Sequence, residues 1–193
     1  AQAAQVDTDL PGLLIVGEPA GLGFDQTLGA LAGRRVLLTC SAAFQSGATD
    51  SVRDYGGRPI PYPAIALNPV LQALEDPERI LSMDWTVLTS PSAVRCLFEN
   101  AKFDLRGLPK IMVCGKGTAR ELERRGIYPE AIPETGGGTE ALLQLARRVV
   151  RPGDKVLRLR SDRAGPRVAD ELRQLGAVVD DCILYENRPI HYE

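Results

Sequence analysis

The chain has 193 residues, a formal net charge of −2, 44% hydrophobic and 25% charged residues. This is a globular composition, and its charge does not mark a nucleic-acid-binding module. No run of about 18 apolar residues is available to span a membrane.

The opening AQAAQVDTDL has no basic stretch leading into an apolar one, so it does not read as a signal peptide. It also lacks an initiator Met, which leads us to expect a fragment. The four cysteines, Cys40, Cys96, Cys114 and Cys182, form no C-x-x-C pair, and His191 is the sole histidine. A zinc site is therefore not expected, and reduced thiols in a cytoplasmic protein are.

Leu13-Leu14-Ile15-Val16-Gly17-Glu18 is a short apolar strand, and 19–33 reads as a linker. A buried strand is expected at 35–39 and a helix at about 43–55, closed by Gly56-Gly57. Residues 59–67 are extended and proline-marked, and a helix follows near 69–81. The apolar run Trp85-Thr86-Val87-Leu88 is a buried strand. It passes through Thr89-Ser90-Pro91-Ser92 into a helix at 91–101, with Ser90 as N-cap and Pro91 at the first helical position. A strand at 110–114, a turn at 115–118 and a helix at 119–125 come next. After the loop Gly136-Gly137-Gly138, Thr139 is expected to cap a helix at 140–150. The chain then reads as a strand at 155–159, a helix at 164–175 and a strand at 178–185.

Strands alternating with helices predict βαβ units and a largely parallel sheet. There is also an internal echo. Val36-Leu37-Leu38-Thr39, Ser41, Arg53 and Gly56 are matched 120 residues later by Val156-Leu157-Arg158-Leu159, Ser161, Arg173 and Gly176. Two similar α/β lobes are expected, the first incomplete.

The residues exclude several chemistries. One histidine near the end does not supply a Ser-His-Asp triad. Gly115-Lys116-Gly117-Thr118 lacks the preceding glycine of a phosphate-binding P-loop. What remains is a set of loops at strand carboxyl ends, where open α/β sheets bind ligands. These loops are 39–41, 89–92, 115–118, 136–139 and 160–163. Their hydroxyls and helix-start amides suit carboxylate or phosphate groups, or they are ordinary helix caps. Residues 155–173 hold six cations (Lys155, Arg158, Arg160, Arg163, Arg167, Arg173) against three acids (Asp162, Asp170, Glu171). Arg158 and Arg160 flank Leu159 and so share a face; they are carboxylate ligands or members of a solvated, salt-bridged edge. Tyr185, at the end of the last strand, is either a proton donor or a packed phenol with one hydrogen bond.

Several segments together resemble one family. Asp84-Trp85-Thr86-Val87-Leu88-Thr89-Ser90-Pro91-Ser92-Ala93-Val94 is similar to the D-W-x-x-F-T-S-x-x-A-V segment of uroporphyrinogen-III synthases. Val113-Cys114-Gly115-Lys116-Gly117-Thr118-Ala119 resembles their V-G-x-x-T-A segment, with Leu122 and Gly126 following. Gly138-Thr139-Glu140-Ala141-Leu142 resembles the next glycine-led helix. Val156 to Arg160, then Leu172, Gly176, Val179, Leu184, Tyr185 and Glu186, resemble the end of the second domain. The likeness runs from about 34 to 190.

The resemblance implies an α/β fold of two flavodoxin-like parallel-sheet lobes joined by a two-stranded connector. Carried onto this chain, 34–63 is a partial first lobe, 64–67 and 184–190 are the connector strands, and 67–183 is the second lobe. The implied activity is a lyase of the hydro-lyase type in porphyrin (tetrapyrrole, heme) biosynthesis. It cyclises hydroxymethylbilane to uroporphyrinogen III, losing water and inverting the last pyrrole ring. No cofactor, metal, nucleic acid or membrane is implied. Tyr185 is implied as the catalytic group assisting departure of the hydroxyl. The hydroxyl positions of Ser90 and Thr118 are implied to lie on the substrate cleft, and the loop reading above adds Thr89, Ser92, Gly115, Lys116, Gly138, Thr139 and Arg160 as the residues expected to hold the substrate with them. Eight carboxylates on that substrate suit helix starts and arginines.

There are two departures from the pattern. The family's opening strand ends Thr-Arg where this chain has Thr39-Cys40, and the rest of the first lobe is expected after residue 190. The expectation is a truncated chain, inactive alone. Pro11-Gly12-Leu13-Leu14-Ile15-Val16-Gly17-Glu18 resembles the closing strand of uroporphyrinogen-III C-methyltransferases, so 1–33 is expected to be the tail of such a partner plus a linker. The competing reading is a non-catalytic α/β ligand-binding or regulatory module. A receiver-type signalling domain needs acids after its first strand, and Thr39-Cys40-Ser41 has none.

Overall fold

The computed structural model describes residues 29–192. The expected strand at 13–18 and most of the expected linker lie outside those residues. The chain divides into two compact units, one holding Phe44–Tyr62 with the segment up to Leu38, the other Thr39–Ala43 with Pro63–Glu193.

In the first unit, β1 (Arg35–Leu38) pairs in parallel with β2 (Arg58–Pro61), Leu37 opposite Ile60. The buried strand expected at 35–39 is instead largely open: Leu38 is its one buried residue and Leu37 is 56% exposed. Among the described residues β1 and β2 form a ribbon of two strands, which leaves a Val/Leu-rich run open. Helix α1 (Ala42–Asp54) precedes β2, and its closing turn uses Gly56 at φ +77. That left-handed conformation is the reason for a glycine there.

The second unit is built on a five-stranded sheet, ordered β3-β7-β6-β4-β5. Its strands are β3 (Ile65–Pro69), β4 (Trp85–Leu88), β5 (Lys110–Val113), β6 (Lys155–Ser161) and β7 (Val178–Pro189). All neighbours are parallel except β3, which runs antiparallel to the last part of β7, from Ile65 opposite Pro189 to Pro69 opposite Tyr185. The four parallel strands follow the flavodoxin order 2-1-3-4. A one-residue parallel bridge, Met112 with Ala131, extends the β5 edge.

Alternation along the strands sends side chains to two cores. Leu88, Ile111, Val113, Leu157 and Leu159 pack on α2 (Pro77–Leu81), α3 (Pro91–Asn100) and α4 (Lys116–Glu123). Trp85, Val87, Met112 and Val156 pack on α5 (Thr139–Val149) and α6 (Arg167–Gln174). This is a helix–sheet–helix sandwich, and every residue of β4 is buried within it.

Several expected boundaries move. The helix expected near 69–81 is broken into the end of β3, a 3-10 turn Leu71–Leu74, and α2. Pro77 supplies no N–H and forces Asp76 out of the helical region, so Asp76 becomes an N-cap accepting from the Arg79 amide at 2.9 Å. The turn expected at 115–118 is mostly the first turn of α4, because Gly115 itself caps the helix. Helix α5 is capped by Gly138, and Thr139 is its first residue rather than its cap. Strand β6 runs on to Ser161, which puts Arg160 in the sheet rather than in a loop.

Candidate functional site

The site begins where β4 leaves the sheet. Ser90 is extended (φ −152, ψ 154) and its Oγ accepts from the Ala93 amide at 3.0 Å, with Pro91 opening α3. The hydroxyl of Tyr185 stands 3.0 Å from the same Oγ. Tyr185 is only 5% exposed. A β-bulge brings it there: Arg160 is opposite Ile183, but Ser161 is opposite Tyr185. Leu184 is the extra residue, and Leu184 and Tyr185 consequently face the same core although they are adjacent in sequence.

Two further loops close on this point. The Cys114 thiol, just past β5, donates to the Thr89 carbonyl at 2.7 Å and lies 3.7 Å from the Thr118 hydroxyl. Thr118 is buried in the first turn of α4. The Cys114 carbonyl accepts from the Gly138 amide at 2.9 Å. A Cβ on Gly115 would stand 3.4 Å from the Gly137 Cα, an ordinary contact distance, so the two loops lie against one another. The starts of α3, α4 and α5 thus cluster at the carboxyl ends of β4 and β5. Their free amides can hold anionic groups.

The structure therefore gathers Thr89, Ser90, Gly115, Thr118, Gly138 and Tyr185 through direct contacts. Lys116 and Thr139 are exposed on the first turns of α4 and α5. Ser92 lines an adjacent groove of about 320 Å³ with Ser41, Ile65, Leu67, Arg95 and Cys96. Arg160 is engaged elsewhere. Its Nε donates to both oxygens of Asp181 at 3.0 Å and a terminal nitrogen to the Ser161 carbonyl. Arg158, 2% exposed, reaches Asp181 at 3.2 Å and the Gly165 carbonyl at 3.1 Å. The shared face read from the sequence is real, and its occupant in the structure is Asp181.

Sequence reasoning missed Asp162, Asp181, Arg95 and Glu121. Arg95 of α3 bonds Glu121 of α4 at 2.9 Å, bracing the two helices whose starts form the site. Burial pushes the Glu121 carboxyl up, but hydrogen bonds from Arg125 and Arg95 outweigh it and hold its pKa below 4.5. Burial, with Glu99 nearby, lifts the Cys96 thiol to about 11. Nothing periodic in sequence announces such pairs, because their members lie on different elements. Cys96, Cys114 and Cys182 are free thiols.

A family model described as uroporphyrinogen-III synthase HemD matches residues 47–193. The chain belongs to the uroporphyrinogen-III synthase family. Among curated proteins it is 27% identical over 201 residues to the porphyrin biosynthesis protein HemD of Ruminiclostridium josui, covering 98% of this chain and 40% of that one. It is 35% identical over 78 residues to the uroporphyrinogen-III synthase of Proteus mirabilis, 40% of this chain and 39% of that protein. The chain thus spans about two-fifths of the length of these relatives. Among solved structures, a mutant uroporphyrinogen III synthase from the extremely thermophilic bacterium Thermus thermophilus superposes with a TM-score of 0.53 at 22% identity. That match covers 81% of this chain and 63% of that one. At that identity the likeness speaks for the α/β fold. In this synthase-family chain no described helix is long and apolar enough to cross a membrane.

Proposed function

We propose that this chain contributes to a uroporphyrinogen-III synthase. The reaction would cyclise hydroxymethylbilane, invert its last pyrrole ring and release water. The observation that carries the reading is the Ser90–Tyr185 contact, set among three helix starts at the strand carboxyl ends. Tyr185 would give its phenolic proton to the departing hydroxyl. Ser90 already accepts from the Ala93 amide, so its own O–H is free to point at the Tyr185 oxygen. That arrangement leaves the Tyr185 proton available for the substrate. The helix starts at Ser90, Gly115 and Gly138, with Thr89, Ser92, Lys116, Thr118 and Thr139 around them, would hold substrate carboxylates. Arg160 would take part only by exchanging Asp181 for a carboxylate. Catalysis would rest on positioning and assisted departure of water, since the pyrroles bring their own reactivity and no cofactor is required. A cytoplasmic location and a working partnership, or fusion, with uroporphyrinogen-III C-methyltransferase complete the proposal.

The test is to supply fresh hydroxymethylbilane to the complete product of the reading frame that encodes this chain, and to separate the uroporphyrinogen isomers. Isomer III above the spontaneous background supports the reading. Isomer I alone, with tight substrate binding, would favour a non-catalytic binding module.

A further inference from the structure

Strand β6 ends at Ser161, yet β7 continues to Pro189, so among the described residues no strand lies beside the β6-facing edge of β7 beyond Tyr185. Asp162 fills that edge. Its backbone amide donates to the Tyr185 carbonyl at 3.0 Å. Its Oδ1 accepts from the Asn187 backbone amide at 3.0 Å and from the Asn187 side-chain amide at 2.8 Å. The carboxylate thus stands where the carbonyl of one more β6 residue would be. This matters because of the bulge immediately before it. A bulge releases the ladder for one residue, and the re-aimed side chain is only as well placed as the pairing that resumes after it. On the opposite edge the same stretch is held by β3, with Leu67 opposite Asn187. The Asp162 loop is anchored in turn, since buried Arg158 donates to the Gly165 carbonyl.

We infer that Asp162 is a positioning residue: its carboxylate locks Asn187 after the bulge and so holds the Tyr185 hydroxyl against Ser90. The inference rests on the proposed role of Tyr185 in cyclisation. Asp162 touches no reacting atom in this scheme; it acts through the backbone of 185–187.

The chain offers a spectroscopic reading that is independent of activity. Of its five tyrosines, Tyr185 is the buried one, and Tyr55, Tyr62, Tyr128 and Tyr192 are all more than 40% exposed. With 3-fluorotyrosine incorporated, the 19F resonance lost in Tyr185→Phe belongs to Tyr185. In Asp162→Ala that resonance is expected to move toward the exposed group, while in Asp162→Asn, which keeps an acceptor oxygen, it stays near the wild-type position. In the cyclisation assay Asp162→Ala is expected to lower kcat about tenfold or more with KM within about twofold, and Asp162→Asn to restore most of it. An unmoved resonance in Asp162→Ala overturns the inference. So does a moved resonance with unchanged kcat, or a loss that falls on KM alone. If the wild-type protein forms no isomer III, the catalytic reading fails, and the fluorine spectra alone still decide whether Asp162 places the Tyr185 ring.

Discussion

The hydroxyls of Ser90 and Tyr185 meet at 3.0 Å, although the residues lie 95 positions apart. One caps a helix and the other sits just past a bulge in the longest strand of the sheet. Each therefore has a structural duty separable from its contact with the other.

Replacing Tyr185 by Phe keeps the ring in the core and removes the hydroxyl alone. The structural cost should be about 1 kcal/mol, one net hydrogen bond. The rate of isomer III formation should fall about a hundredfold if the phenol is the proton donor. Urea unfolding and the cyclisation assay, run on the same preparation, separate the two effects.

Ser90→Ala removes the cap of α3 as well as the partner of Tyr185. About 1 kcal/mol of stability should go with the cap, which for a chain of this size is a Tm loss of about 2–4 °C. Ser90→Thr retains an oxygen in the same place and should recover most of both Tm and rate. Equal Tm values in Ala and Thr would show that the cap seen at Ala93 contributes little.

Asp181 is bonded to both Arg158 and Arg160, and it is 13% exposed. Burial already lowers the Arg158 pKa from its usual value. Asp181→Asn leaves two guanidiniums, one fully buried, without their counter-charge. A loss of about 3–5 kcal/mol is expected. Arg160→Gln leaves the Arg158–Asp181 pair intact and should cost clearly less. Denaturant midpoints of the two variants test the order.

Two buried acids set opposite flanks of the pH–stability curve. Glu121 has its pKa held below 4.5, so its contribution is present above that value and is lost as pH falls through the lower folded pKa. Cys96 has its pKa raised from 9.0 to about 11, so its contribution is whole below 9.0 and fades as pH climbs to about 11. Cys96→Ala should flatten the alkaline decline between those values, and Glu121→Gln the acid one. Both follow from unfolding free energies measured across pH.

The sequence by itself determined the alternation of strands and helices, the buried run of β4 and the Ser90-Pro91 start of α3. Those features depend on local periodicity and on groups a few residues apart. The family motifs likewise lie on contiguous stretches, which is why they were legible. Only the tertiary structure decided the rest. Pro77 split an expected helix because a missing N–H outweighs apolar spacing. Arg160 turned inward to Asp181 because charges in a sheet seek the nearest counter-charge on the next strand. The bulge at Tyr185 and its clamp by Asp162 have no local signature. They arise where two strands of unequal length run side by side, and that pairing exists only once the chain has folded.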